Sequence, residues 1–159
     1  MTIYVDSGAG QSLCSCSSAF ADMTPCKVEI EGVAGSLQIY GCGTALFLVN
    51  DAMDQPFILR VHNCLYGQGQ FNLLSVSQIC QNVHNSVDFA LQAPALLFGS
   101  NRRKIRLPLV LDEGLFAISA LPSNWTILGF LLLGRLMLLP EGCFARVLML
   151  RHIGGLQKS

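Results

Sequence analysis

Apolar and polar side chains alternate through residues 27–39: Val28 and Ile30 fall between Lys27, Glu29 and Glu31, and Leu37 and Ile39 alternate with Ser36 and Gln38. A period of two sends successive side chains to opposite faces, so two half-buried strands are expected. Between them lies Gly32-Val33-Ala34-Gly35, a glycine-bounded tetrapeptide that predicts a tight, mobile hairpin tip. Ile3-Tyr4-Val5 and the run from Phe57 to Tyr66 predict further strands, the second beginning after Pro56. Val76 and Ile79 instead stand at helical spacing and predict a short helix from Ser75 to Asn82. The segments Ser86–Leu91, Leu96–Phe98, Ile105–Val110 and Leu115–Ile118 are separated by Ala93-Pro94, Gly99-Ser100-Asn101 and Asp112-Glu113-Gly114, all turn sequences. Many short strands, regular turns and one brief helix predict an all-β domain closed into a β-barrel.

The pattern changes at Leu121. Trp125, Ile127, Leu128, Leu131, Leu132 and Leu136 fit one helix face, with few polar residues opposite them, until Pro140-Glu141-Gly142 interrupts the run. The expected organisation is a β-barrel domain over residues 1–120 and an apolar, helical tail over residues 121–159. Arg135 divides the apolar run Thr126–Leu139, which is shorter than the roughly 20 apolar residues of a membrane span. A buried or interfacial helix is therefore expected, and no membrane partner.

Apolar residues make up 52% of the 159 and charged residues 13%, a balance that excludes a disordered chain. Lys+Arg equals Asp+Glu at 10 each, so no basic field marks a nucleic-acid binder, and Arg102-Arg103-Lys104 is read as a solvated hairpin tip that blunts a sheet edge. The seven cysteines are scattered without zinc spacing. They are expected as reduced, mostly buried thiols, with Cys14-Ser15-Cys16 plus His62 or His84 as the weaker metal alternative. No metal or cofactor is expected. Met1 leads almost at once into the first strand without a leader pattern, which predicts an intracellular, cytoplasmic location.

Candidate chemistry enters at Asp6-Ser7-Gly8-Ala9, where the Ile3-Tyr4-Val5 strand delivers a carboxylate into a turn. The serine can hydrogen-bond beside the carboxylate, and the glycine permits close backbone approach. The same tripeptide is also ordinary turn chemistry, so its downstream context decides between the two. Further along the chain stand Ile39-Tyr40-Gly41-Cys42-Gly43, Val61-His62-Asn63-Cys64-Leu65-Tyr66, Asn72-Leu73-Leu74-Ser75-Val76-Ser77-Gln78-Ile79, Val87-Asp88-Phe89 and Gly114-Leu115-Phe116-Ala117-Ile118. In this order the segments resemble the protease domain of copia-type LTR retrotransposon Pol polyproteins, a branch of the retropepsin-like aspartic proteases. The resemblance spans residues 3–118.

It implies that Asp6 is the catalytic carboxylate and that Ser7, Gly8 and Ala9 complete its active-site turn. By position, Gly32, Val33, Ala34 and Gly35 correspond to the flap over substrate, and Leu73, Leu74 and Ser75 to the segment packed behind the site. Ser75 stands where viral retropepsins usually carry glycine, and Val76 where they carry an arginine that braces their dimer. Metal-free hydrolysis of a peptide needs a base for water and an acid for the leaving amine, and two close carboxylates sharing one proton serve as both. Asp22, Asp51, Asp54, Asp88 and Asp112 lack a following Ser-Gly or Thr-Gly, so a second copy of the chain must supply the other aspartate. The expected partners are a homodimer mate and a peptide or polyprotein substrate. With five residues before Asp6, the outer N-terminal strand is expected to be missing, which keeps a second class open: a noncatalytic β-barrel remnant or interaction module.

Overall fold

The computed structural model describes residues 1–32, 35–99 and 104–122. In chain order the strands are β1 (Thr2–Asp6), β2 (Leu13–Cys14), β3 (Phe20–Gly32), β4 (Gly35–Asn50), β5 (Pro56–Gly67) and β6 (Leu73–Ser75). The helix α1 (Val76–Cys80) comes next. It is followed by β7 (Ser86–Asp88), β8 (Ala95–Phe98), β9 (Ile105–Pro108), β10 (Val110–Asp112), β11 (Leu115–Ser119) and β12 (Leu121–Pro122). The helix expected across the apolar tail lies outside the described residues.

The strands assemble into two open sheets, and this corrects the expected closed barrel. The larger sheet runs β10-β11-β1-β6-β2-β5-β4-β12, with β3 also paired to β4, and the smaller runs β7-β8-β9. A closed barrel needs its first and last strands to pair at a consistent stagger. Here β10 and β12 end the larger path without pairing to each other, and β7–β9 leave it altogether. The sheet is mixed, because β1 runs parallel to β6 and β2 parallel to β5 while the other ladders are antiparallel. Pro108 contributes to the divergence. The apolar stretch Ile105–Val110 predicted one strand, yet Pro108 ends β9, and the Leu109 N–H bonds to Pro94 O (2.9 Å) before β10 joins the other sheet.

The core explains the local choices. In β1, Ile3 and Val5 point inward while Thr2, Tyr4 and Asp6 point to the opposite face. Ile3 and Val5 join Phe47, Val61, Leu74, Leu96, Leu107 and Ile118 in one apolar cluster fed by both sheets. Full burial of a side chain such as Ile3 contributes about 1.5–3 kcal/mol. The hairpin expected around Gly32–Gly35 is formed by β3 and β4, whose register runs down to a Gly32–Gly35 pair. Val33 and Ala34 themselves lie outside the described residues. Gly35 has φ +116°, a conformation open to glycine and strained for other residues. At the foot of this ribbon Gly43 is required for a different reason: a Cβ there would meet Asp22 O at 2.0 Å.

Candidate active site

Asp6 is the last residue of β1, and the ladder to β6 sets Asp6 beside Ser75, Val5 beside Leu74 and Tyr4 beside Leu73. Neighbours across a ladder share a face, so Leu74 follows Val5 into the core while Ser75 lies on the side of Asp6. Ser75 is wholly buried nonetheless, because the chain leaving Asp6 folds over it. Its Oγ donates to Ala9 O (2.7 Å) and accepts the Gln78 N–H (3.2 Å), so one hydroxyl anchors the turn and caps α1. Ser77 Oγ stands 2.8 Å from Ser75 Oγ and also reaches Ala9 O and Gly10 O (3.3 and 3.4 Å). The expected packing segment Leu73-Leu74-Ser75 thus supports the turn through a buried hydroxyl as well as through apolar contact.

Further along, Ser12 closes the turn. Its Oγ accepts the Ser75 N–H (3.0 Å), its own N–H donates to Gln78 Oε1 (2.7 Å), and its carbonyl accepts the Leu65 N–H (2.9 Å). Asn72 performs the same service on the other side: Oδ1 accepts from Ser15 N and Oγ (2.9 and 3.0 Å), and Nδ2 donates to Thr2 O (3.2 Å). Ser12 and Asn72 are both buried, so losing either would strand polar groups away from water. The sequence motifs assign no role to Ser12, Ser77 or Gln78. A signal was present in the polar residues interrupting the apolar Leu73–Ile79 run at positions that a helix start must cap.

Within the turn, the Gly8 N–H donates to Asp6 Oδ1 (2.7 Å), which fixes the carboxylate orientation. Asp6 is half-buried, and Ser7 and Gly8 are exposed. A Cβ on Gly8 would meet only Asp6 Oδ1, at 3.4 Å, so contacts within one chain do not demand glycine there. Most of the remaining aspartates serve local structure. Asp22 Oδ1 accepts the Thr44 N–H (2.9 Å), Asp51 Oδ1 accepts those of Met53 and Gln55 (2.9 and 2.8 Å), Asp54 Oδ1 accepts Asn50 Nδ2 (2.7 Å), and Asp88 Oδ1 accepts the Ala90 N–H (2.9 Å).

Asp112 differs. It pairs with Leu115 across a two-residue turn, Glu113-Gly114, in which both φ values are positive (49° and 86°), and its Oδ2 accepts Tyr4 Oη at 3.2 Å. That hydrogen bond, reinforced by desolvation and by the Asp112 and Glu113 charges, raises the Tyr4 phenol above its usual range. Asp112 therefore does more than close a turn. It tethers the β10–β11 hairpin to the strand that carries Asp6.

A cavity of about 600 Å³ opens between β5 and α1, lined by residues that include Phe57, Arg60, Val61, Gln78, Ile79 and Phe98. Ser12 and Gln78 border it, but no residue of the Asp6–Ala9 turn does. Among the described residues, no three His, Cys, Asp or Glu side chains converge to hold a metal ion, and no helix is long and apolar enough to cross a membrane. The described cysteines, Cys14, Cys16, Cys26, Cys42, Cys64 and Cys80, carry free thiols, but only Cys14 and Cys64 are buried, which corrects the expectation that most would be. Compared with protein-family models, with curated proteins and with solved structures, the chain matches none of them.

Proposed function

We propose that the chain is an aspartic endopeptidase of a retrotransposon polyprotein, active as a homodimer in which two Asp6 carboxylates share one proton and activate water. The observation that carries this reading is the built turn: a carboxylate at a strand end, oriented by the Gly8 N–H and backed by the buried hydroxyls of Ser75 and Ser12. Such support restricts where the carboxylate can go, which general acid–base catalysis requires. In the dyad the ionised carboxylate takes a proton from water as the oxygen attacks the peptide carbonyl carbon. The protonated partner then supplies the proton that lets the amine leave. The β3–β4 ribbon is the proposed flap, closing over an extended peptide to exclude water. Asp6→Asn keeps the size of the side chain and its bond from Gly8 but removes the base, so peptide cleavage should fall to background with an unchanged thermal melt. Cleavage retained by that variant removes Asp6 from the mechanism.

The cavity between β5 and α1, separate from the Asp6 turn, favours a second reading, an interaction module without turnover. A dimeric wild-type chain with no cleavage of peptide or polyprotein would select it.

A further inference from the structure

We propose that the cavity between β5 and α1 receives one extended strand of a partner protein, in which apolar and acidic side chains alternate, hydrogen-bonded along the open edge of β5. The inference rests on the cavity and not on turnover, so it holds with or without catalysis at Asp6.

The lining identifies a strand edge rather than a strand face. Residues on one face of a strand alternate along the chain, yet the cavity is bordered by every residue from Phe57 to Asn63. A wall of consecutive strand residues is the strand seen from its side. Among the described residues that side has no neighbouring strand: β5 meets β2 only at Leu65 and Tyr66, and the unbroken register from Pro56 to Val61 pairs it with β4 alone. In an antiparallel pair, alternate residues turn their N–H and C=O groups away from the partner strand. Within Phe57–Val61 those groups therefore point toward the cavity. Beyond it the edge is closed, because Gln78 Nε2 donates to Asn63 O (3.4 Å) and the Leu65 N–H donates to Ser12 O (2.9 Å).

The opposite wall is held in place by its own bonds: Gln78 Oε1 accepts the Ser12 N–H (2.7 Å), and Asn85 Nδ2 donates to Ile79 O (3.2 Å). A preformed space of about 600 Å³ beside a row of main-chain donors and acceptors suits an added strand, which meets the whole row. Side-chain chemistry then sets the sequence of that strand. Leu59 and Val61 are buried while Arg60 and His62 are exposed, so the two sets face opposite sides of β5. An added strand lays its own alternate side chains over the same two sides. One set meets the apolar side, where the half-buried rings of Phe57 and Phe98, with centroids 6.0 Å apart, leave surface for contact. The other set meets Arg60. No acidic residue lines the cavity, so a carboxylate on the incoming strand complements that guanidinium.

The test is fluorescence anisotropy of labelled, end-blocked peptides titrated with the full 159-residue chain carrying Asp6→Asn, which removes turnover of the probe. The first peptide is Val-Glu-Leu-Glu-Leu-Glu-Val, and the second replaces each Glu by Lys. Saturable binding of the first is expected. Adding Arg60→Glu should weaken it by about tenfold or more, because like charges then face each other. The Lys peptide should gain by a similar factor in that variant, which also shows that the variant is folded. Two further copies of the first peptide carry N-methyl groups on alternate residues, one on the apolar positions and one on the glutamates. Only one edge of an added strand faces β5, so one copy should lose binding and the other keep it. Absence of saturable binding, an Arg60→Glu chain that treats both charged peptides as the parent does, or two N-methyl copies that bind alike would each overturn the proposal.

Discussion

The turn after β1 and the ribbon of β3 and β4 are both glycine-containing β structure, yet they are held in opposite ways. Around the turn, Ser12, Asn72 and Ser75 are buried and bonded to backbone groups from several parts of the chain. Along the ribbon, residues 27–31 are exposed on β3, and one backbone ladder with a Gln38–Val28 side-chain bond does most of the holding. Buried, satisfied polar networks fix one geometry, and segments with little core contact open at low free energy. A carboxylate needs the first kind of support and a closing flap needs the second. The contrast is what a protease of this type would require of one chain.

Thiol chemistry should expose the contrast most strongly. Cys14 and Cys64 are buried in the core cluster that Ile3 and Val5 join, and burial pushes the Cys14 thiol up to about 11 and raises Cys64 as well. Cys26 sits on the ribbon and Cys80 at the exposed end of α1. At neutral pH an alkylating reagent should modify Cys80 first and Cys26 next. Cys14 should react about 100-fold more slowly than an ordinary thiol, because the thiolate is the nucleophile, until denaturant is added. Peptide mapping of a time course reads this directly, and equal rates at Cys14 and Cys26 would break the comparison.

Ser75→Ala tests the rigid half. It removes the cap of α1 and leaves Ala9 O with only the longer Ser77 Oγ contact (3.3 Å), so a loss of about 2 kcal/mol is expected. On a domain of this size that lowers the melting temperature by roughly 10 °C. Val28→Ala, on the exposed ribbon, should stay within about 0.5 kcal/mol. A ribbon variant as costly as Ser75→Ala would show that the ribbon is part of the stable body.

Gly35→Val tests the ribbon, with a smaller effect. No atom lies within 4 Å of a Cβ at Gly35, so φ +116° alone opposes the substitution and the damage stays at the tip. Peptide turnover should fall by about tenfold while the melt shifts by no more than roughly 3 °C. Gly99→Val, at φ +97° beyond β8, carries similar strain away from the ribbon and should alter the melt without a matching loss of turnover. Turnover lost by Gly35→Val only in proportion to unfolding would make the hairpin structural.

Much of this contrast is legible in the sequence because it is local. Alternation announces the strands β3 and β4, although the half-burial it predicts for Val28 and Ile30 is not found, since residues 27–31 are all exposed; the Gly32–Gly35 bracket announces their hairpin, and Val76 and Ile79 announce a short helix. Partner choice between strands is not local. No periodicity tells β11 to lie against β1, or β7, β8 and β9 to form a separate sheet, and so the open architecture was hidden behind the expectation of a barrel. The same reason conceals the Tyr4–Asp112 bond, which joins residues 108 positions apart, and the buried role of Ser12, set 63 positions from the Ser75 amide that it accepts. Asp112 has the sequence signature of a turn residue, and it is one. Its contact with the Asp6 strand depends on a ladder that only the fold reveals.

The central claim, that one active site is shared by two Asp6 carboxylates, is tested most directly by mixing wild type with Asp6→Asn at fixed total concentration, allowing exchange, and measuring peptide turnover. A shared site predicts that turnover falls as the square of the wild-type fraction, because a mixed dimer has one carboxylate and is inactive. A linear fall would mean that each chain works alone and would contradict the account.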